Sequence, residues 1–321
     1  MGRRARRASA GLDGYVVVDK PAGMTSHDVV AHCRRLLDQP RAGHAGTLDP
    51  DATGVLVVGL GRATRLLRYA SGLRKSYTGE VVLGVSTSTL DSAGDVVARF
   101  DMAGVGLEEV RRAAGVLTGT ILQVPPMVSA VRVGGRRLHE IARAGEVVER
   151  VPRPVEVSRY DVDATGDPEV FAITVECSSG TYVRSLAADL GEELGGGAHL
   201  RGLRRRAVGG FREQDAVPLG SVSRDHVRPA EGLVAHLASL VLDPALDEKV
   251  ANGRVLDRRE LGASGPGPWA VTGRDGRLLA VYGSWREDKA KPEVVVAGPS
   301  EGPAATRSPD GRVPGGPASA E

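Results

Sequence analysis

The sequence predicts an α+β fold, and three observations carry the prediction. Strand-length apolar runs recur along the chain, at Tyr15–Asp19, Val55–Leu60, Tyr77–Leu83, Val155–Val162 and Val170–Cys177. Stretches of helical character stand between and after them, at 26–37, 107–117 and 182–194. The chain has 321 residues, 41% of them hydrophobic, enough to bury a sizeable core. No uninterrupted apolar run approaches the ~18–20 residues of a membrane span.

Taken in order, residues 1–10 carry four arginines and no acid and read as a flexible basic arm. With no apolar stretch behind them they are not a secretory signal. After the strand Tyr15–Asp19, Lys20-Pro21-Ala22-Gly23 reads as a turn. Ser26 is placed to cap a helix whose apolar positions Val29, Val30, Cys33, Leu36 and Leu37 follow the 3.6-residue period. Arg34 and Arg35 then fall on its wet face. A Gly-rich loop over Arg41–Gly54 leads into the buried-type strand Val55–Leu60, and a helix is expected near Ala63–Ala70.

The stretch 123–151 differs from its surroundings. Pro125-Pro126 stiffens its entry, Val128–Val133 with Gly134-Gly135 suggests a hairpin, and Leu138–Ala144 suggests a short helix. Arginines outnumber glutamates there and large apolar residues are few, as in a projecting loop. Ser178-Ser179-Gly180-Thr181 reads as the turn before the helix Tyr182–Leu194. Residues 201–212 hold five arginines and no acid. A second, small β unit is expected from about residue 245, with strand-like pieces at Leu246–Leu256, Trp269–Thr272, Leu278–Tyr282 and Val294–Ala297, both tryptophans serving as anchors. Residues 298–321, with five Pro and five Gly, read as a disordered tail.

The 42 basic and 40 acidic residues leave a net charge of +2, which excludes a uniformly basic coat protein and a highly acidic disordered chain. The average hides segregation: 201–212 is wholly basic, whereas 213–248 holds seven acids and two arginines. Cys33 and Cys177 stand 144 residues apart with no C-x-x-C and no histidine at ligand spacing, which predicts reduced thiols in a cytoplasmic protein.

Signatures of the P-loop, zincin and serine-hydrolase types are absent, and Gly59-Leu-Gly61 lacks the third glycine of a dinucleotide loop. The chemistry-bearing stretch is Arg41–Gly54, RAGHAGTLDPDATG. Asp49, Asp51, Thr53 and Gly54 match the opening of a calcium-binding EF-hand loop, but its twelfth position would be Leu60, where a bidentate glutamate is needed. Turn chemistry, with Asp and Thr bonding the local backbone, is a second reading. The third is a catalytic carboxylate presented by the loop. Asp49 precedes Pro50, so the next peptide has no N–H to satisfy it, and the carboxylate is left to act elsewhere.

The run GYVVVDKPAGMTSHDVV followed by RAGHAGTLDPDATGVLVVGLGRATR resembles the bacterial tRNA pseudouridine synthases of the TruB family, which modify uridine 55 of the T loop. KSYTGEVVLG, VPPMVSAVRVGGRRLHEIARAG and CSSGTYVRSLAADLGEELGGGAHLRGLRR follow in family order, so the resemblance spans about residues 12–215. VANGRVL and the short strands after it resemble, in divergent form, the small PUA-type RNA-binding domain.

The resemblance implies a large mixed, mainly antiparallel sheet flanked by helices and loops. It implies a catalytic domain over 11–244 with an RNA-binding insertion at 123–151, and a PUA-like domain over 245–297. It makes Asp49 the nucleophile, Tyr77 the active-site tyrosine that stacks on the base or accepts the C5 proton, and Arg184 the partner of Asp49. Tyr182 is set against the bound nucleotide, Leu203 packs on the flipped base, His44 is a stacking group that helps hold the everted uridine, and Lys20 with Pro21 shapes the site. Asp51 is left to turn chemistry. No metal or organic cofactor is implied. The expected partner is the T-arm of tRNA, met by a monomer without guide RNA, protein partner or membrane.

Overall fold

The computed structural model describes residues 11–129, 132–137, 146 and 148–296. The basic arm, the helix expected over 138–144 and the tail from 297 lie outside the described residues. The chain divides into two compact units, Met1–His236 and Leu237–Glu321.

The first unit is built on strands β1 (Gly14–Lys20), β2 (Ala42–His44), β3 (Thr53–Leu60), β4 (Lys75–Leu83), β7 (Gly119–Gln123), β10 (Arg153–Ala164), β11 (Val170–Cys177), β12 (Ala198–Val208), β13 (Phe211–Arg212) and β14 (Val217–Pro218). They form one sheet in the order β14-β1-β3-β12-β4-β11-β10-β7, with β2 added to β3 and β13 to β12. Only β1–β14 and β3–β12 pair in parallel. The sheet is therefore mixed and mainly antiparallel, as expected. Two small hairpins stand apart from it, β5 (Val85–Thr87) with β6 (Val96–Arg99), and β8 (Arg132–Val133) with β9 (Arg136–Arg137). The second turns through Gly134 and Gly135, both at positive φ, as a two-residue hairpin requires.

Helices α1 (Ser26–Leu36), α2 (Leu67–Ser71), α3 (Leu107–Val116) and α4 (Val183–Glu193) flank the sheet. The cap of α1 is Thr25, not Ser26: its hydroxyl accepts from the Asp28 amide while Asp28 reaches back to the Thr25 amide. Ser26 is buried and binds both backbone groups of Leu48 instead. The segment expected as one helix near 63–70 is a 3₁₀ turn, Gly61–Leu66, running into α2.

The larger departure is β12. The basic run 201–212 mostly lies within a central strand, between β3 and β4, with Arg201, Arg206 and Arg212 exposed and Arg205 turned inward. Arg201 pairs with Glu80, Arg204 with Asp19 and Glu213, Arg206 with Glu213, and Arg205 is buried.

Two apolar clusters fill the unit. One joins Val16, Val18, Val29, Cys33, Leu56 and Val58 between β1, β3 and α1. The other joins Tyr77, Val81, Ile173, Val175, Leu186 and Leu190 between β4, β11 and α4, and takes in Leu48 and Ala52 from the Gly-rich loop.

The second unit opens earlier than expected, because β15 (Ala238–Val241) pairs with β17 (Trp269–Thr272). With β16 (Leu256–Asp257), β18 (Leu278–Trp285) and β19 (Lys289–Val295) it forms a five-stranded sheet, order β15-β17-β18-β19-β16. The piece expected as a strand at 246–256 is mainly α5 (Asp247–Ala251), and α6 (Arg258–Leu261) follows β16. Val250 is the buried residue of α5, facing the sheet as a helix would, so the apolar spacing there is helical. Trp269 is a core anchor, but Trp285 is 41% exposed and anchors nothing.

Candidate active site

The loop between β2 and β3 opens where the sheet splits. β3 pairs with β2 through Val58–Leu60, but with β12 only through Thr53 and Gly54. Between those contacts the loop 45–52 leaves the sheet plane. Leu48 and Ala52 sink into the core on either side of Asp49, and Ser26 holds Leu48 by its backbone. The Asp49 carbonyl accepts from the Ala52 amide at 3.2 Å, closing a turn with Pro50 at its second position. The Pro50 carbonyl accepts from the Gly23 amide at 3.0 Å and from Lys20 Nζ at 2.7 Å. Lys20 is fully buried behind the turn, and burial pushes its pKa down to about 8 against the pull of Asp51 and Asp49.

Fixed in this way, the Asp49 carboxylate meets Arg184 and, among the described residues, takes no hydrogen bond from its own loop. Arg184 Nε lies 2.9 Å from Oδ2, and Nη2 donates to Oδ1 at 3.1 Å, a side-on bidentate pair. Arg184 stands in the first turn of α4 and is 4% exposed, whereas Asp49 is 39% exposed toward the cavity. Its remaining donors bind the carbonyls of Thr89 at 2.8 Å and Val128 at 2.9 Å. Asp91, from the tip of the β5–β6 hairpin, stands 3.5 Å from Arg184 Nε. Burial raises the Asp49 pKa above the ordinary carboxylate range; Arg184 pulls it back and the like charge of Asp91 adds to the rise.

A cavity of about 270 Å³ opens in front of Asp49, lined among others by Tyr77, Tyr182, Arg184, Leu203 and Lys75. Tyr77 comes from β4, and burial keeps its phenol protonated well above the usual range, with Arg205 acting in the opposite sense. Tyr182 is the residue before α4. Its amide donates to Gln123 Oε1 at 2.8 Å and its carbonyl accepts from Gln123 Nε2 at 3.1 Å, so one buried amide clamps both sides of it. Leu203 reaches the cavity because β12 bulges between Arg201 and Arg204, where Gly202 adopts φ 62°. A second cavity of about 220 Å³ adjoins on the far side of Asp49, Arg184 and Leu203, lined also by Asp91 and Arg201.

The structure thus brings Asp49, Tyr77, Tyr182, Arg184 and Leu203 to one cavity. Two residues expected in the site stand outside its lining. Lys20 lies behind the turn, and His44 sits on β2 with its ring 5.1 Å from that of His27. Burial, with the charges of His27 and Arg205, pushes His44 down to about 4, so it is neutral at neutral pH. Asp51 is exposed at the turn, in keeping with turn chemistry. The assembly offers a carboxylate gripped by a guanidinium and locked in orientation, an aromatic wall and an apolar wall: equipment for acting on a planar ring attached to a sugar.

Comparison with known proteins agrees. Residues 34–183 match the N-terminal domain of TruB family pseudouridylate synthases, and residues 184–245 match a C-terminal domain of tRNA pseudouridylate synthase B. The tRNA pseudouridine synthase B of Arthrobacter sp. (strain FB24) is 43% identical over 308 residues, covering 91% of this chain and 99% of that protein. The chain belongs to the TruB family of pseudouridine synthases. The tRNA pseudouridine synthase B of Mycobacterium sp. (strain KMS) is 45% identical over 275 residues, 84% of this chain and 91% of its own. Among solved structures, a Cbf5–Nop10–Gar1 complex matches with a TM-score of 0.70 and 26% identity, over 89% of this chain and 85% of that one. An H/ACA ribonucleoprotein bound to substrate RNA shares the fold at a TM-score of 0.66 and 24% identity, over 88% and 85%.

Set in the TruB frame, three site residues escaped the sequence reading. Asp91 lies in a polar hairpin tip, indistinguishable from turn chemistry until the fold brings it to Arg184. Gln123 is a lone amide before two prolines. Arg205 is one arginine among five in a run whose average suggests a solvated face.

Proposed function

We propose that this TruB-family enzyme converts uridine 55 in the T loop of tRNA to pseudouridine, with Asp49 as the catalytic carboxylate. The observation that carries the reading is the side-on Arg184–Asp49 pair at the wall of a cavity that Tyr77, Tyr182 and Leu203 complete.

The reaction is an isomerisation. The N1–C1′ bond of uridine breaks, the base turns, and a C5–C1′ bond forms while C5 loses its proton and N1 gains one. Asp49 acts on the ribose, by adding to C1′ or by removing the C2′ proton. Either role needs the ionised carboxylate, which the guanidinium favours, and a lone pair aimed at the sugar, which the bidentate grip provides. Tyr77, held as a neutral phenol, suits stacking on the ring better than taking its proton. Leu203 supplies the opposite, apolar contact.

A cavity of about 270 Å³ takes a nucleoside and not a stacked helix, so the uridine must leave its loop. Unstacking costs a few kcal/mol, which contacts to Tyr77, Tyr182 and Leu203 offset. The β8–β9 hairpin suits closure over the RNA. In the second unit, the PUA-like role fits the exposed Trp285, which carries Lys291 Nζ 4.0 Å above its ring.

The purified protein, given unmodified tRNA transcript and no other RNA or protein, should form one pseudouridine, at position 55, located by chemical mapping or mass analysis. Modification only when a guide RNA is added would indicate a guided enzyme, and binding without product would indicate an RNA-binding protein that lacks catalysis.

A further inference from the structure

We propose that Arg205 is a positioning residue that sets the separation of the two walls of the catalytic cavity, the Asp49 loop and Tyr77. The proposal rests on the isomerase reading of that cavity.

Arg205 lies in β12 and is 1% exposed. Its register partners are Gly54 on β3 and Tyr77 on β4, so one residue adjoins the strands that carry both walls. Its guanidinium reaches back into the Asp49 loop. Nε donates to the Val55 carbonyl at 2.7 Å, Nη1 to Thr47 at 3.3 Å and Nη2 to Gly46 at 3.1 Å. These carbonyls stand on both sides of Asp49 in the chain. The charge of the same guanidinium also acts on Tyr77, favouring its ionised form against the effect of burial.

Burying a guanidinium is costly unless its donors find acceptors. A strand interior needs only an apolar side chain to fill it, so folding alone does not call for this one. The donors go to carbonyls around the Asp49 loop, while the backbone of Arg205 is in register with Tyr77, so one residue links the two walls whose mutual placement the chemistry needs. A planar fork with five N–H groups can hold these three acceptors at once; an ammonium on a flexible stem cannot hold them in one plane. The backbone joins in: Gly54 has φ 100°, and a Cβ there would lie 2.2 Å from the Arg205 carbonyl oxygen. Loop end and strand are in direct contact, with Arg205 as the tie.

Arg205 lines the cavity, but its hydrogen bonds among the described residues all go to protein carbonyls, so it acts through Asp49 and Tyr77 rather than on the substrate itself. Loosening it should therefore slow the chemical step and leave RNA binding nearly intact.

The test uses full-length Arg205→Lys and Arg205→Met on unmodified tRNA transcript, with tRNA affinity and single-turnover rate measured separately. Both variants should bind within about threefold of the unaltered protein and react about 100-fold more slowly, the penalty typical of an ångström-scale misplacement. Lysine, keeping the charge without the fork, should rescue little. The loss should shrink in a Tyr77→Phe background, which lacks the hydroxyl on which the Arg205 charge acts. A rate within about threefold of normal, or a fall in affinity that accounts for the whole loss, overturns the proposal.

Should neither variant fold, the unaltered protein still decides. With 15N-labelled arginine, the Arg205 Nε–H should exchange with solvent at least about 100-fold more slowly than exposed arginines, and exchange at their rate overturns the tie. An unaltered protein that forms no pseudouridine refutes the isomerase reading instead, a result separate from either outcome for Arg205.

Discussion

Arg184 grips the Asp49 carboxylate through two nitrogens, Nε at 2.9 Å and Nη2 at 3.1 Å, from a side chain that is itself 4% exposed. The pair joins residues 135 positions apart in sequence, one from a turn and one from a helix start. The remaining donors of Arg184 bind Thr89 and Val128, so the guanidinium cannot rotate without unmaking other bonds, and it holds the carboxylate in turn. Orientation of the carboxylate is thus a property of the fold, and the consequences are measurable.

Asp49→Asn keeps the shape and removes the charge. It should fold, bind tRNA and form no detectable pseudouridine, a loss on the order of 10⁴-fold or more in single-turnover rate. Arg184→Lys keeps the charge and removes the fork. It should lower the same rate by roughly 10²–10³-fold, with tRNA affinity little changed. Normal turnover by Asp49→Asn would sink the assigned mechanism.

The pH dependence follows from the raised pKa of Asp49. The active form is the carboxylate, so the rate should fall as pH drops through that pKa, and the acid limb should lie above the ~4 of an ordinary aspartate. Asp91 contributes to the rise by like charge. Asp91→Asn removes that contribution, lowers the Asp49 pKa and should move the acid limb to lower pH. A single-turnover pH–rate profile of both proteins checks the sign, and a shift to higher pH contradicts the assignment.

Gly54 and Gly23 both hold positive φ, 100° and 79°, but their surroundings differ. A Cβ at Gly23 meets nothing within 4 Å, whereas at Gly54 it would strike the Arg205 backbone at 2.2 Å. Gly23→Ala should cost only the conformational penalty, about 1 kcal/mol. Gly54→Ala must also push β3 from β12 and should cost more than about 3 kcal/mol. Denaturant unfolding compares the two directly.

These contrasts also show how far the sequence was legible. Val55–Leu60 and Val170–Cys177 were readable because apolar content and length agree with a buried strand. The Asp49 loop was readable because Asp-Pro chemistry and the TruB resemblance coincide there. β12 was not: its run of arginines looks solvated, since a strand that exchanges apolar partners for ion pairs with Asp19, Glu80 and Glu213 shows no alternation. Asp91 and Gln123 were hidden for a different reason. Their roles exist only across the tertiary fold, from Asp91 to Arg184 and from Gln123 to Tyr182. Ser26 looked like a cap because Ser and Thr are interchangeable at that position; the capping box with Asp28 selects Thr25.

Gln123 provides the last test. It is 2% exposed at the end of β7, and its amide both accepts from the Tyr182 N–H and donates to the Tyr182 carbonyl. The amide before α4 is one of the unpaired donors at a helix start, and Gln123 is what satisfies it. Gln123→Leu fills the space, leaves the Tyr182 N–H without a partner and leaves its carbonyl only the Leu186 amide, at a cost of about 1–3 kcal/mol for the orphaned N–H where no water replaces it. Gln123→Glu keeps the acceptor for the Tyr182 N–H but turns the donor into a second acceptor facing a carbonyl, so it should not restore stability. Both should free Tyr182 to move, weakening tRNA binding more than the chemical step, because Asp49 and Arg184 are held by other bonds. That is the opposite pattern to Arg184→Lys. Affinity and single-turnover rate measured side by side on the variants separate the nucleotide-holding wall of the cavity from its reacting wall.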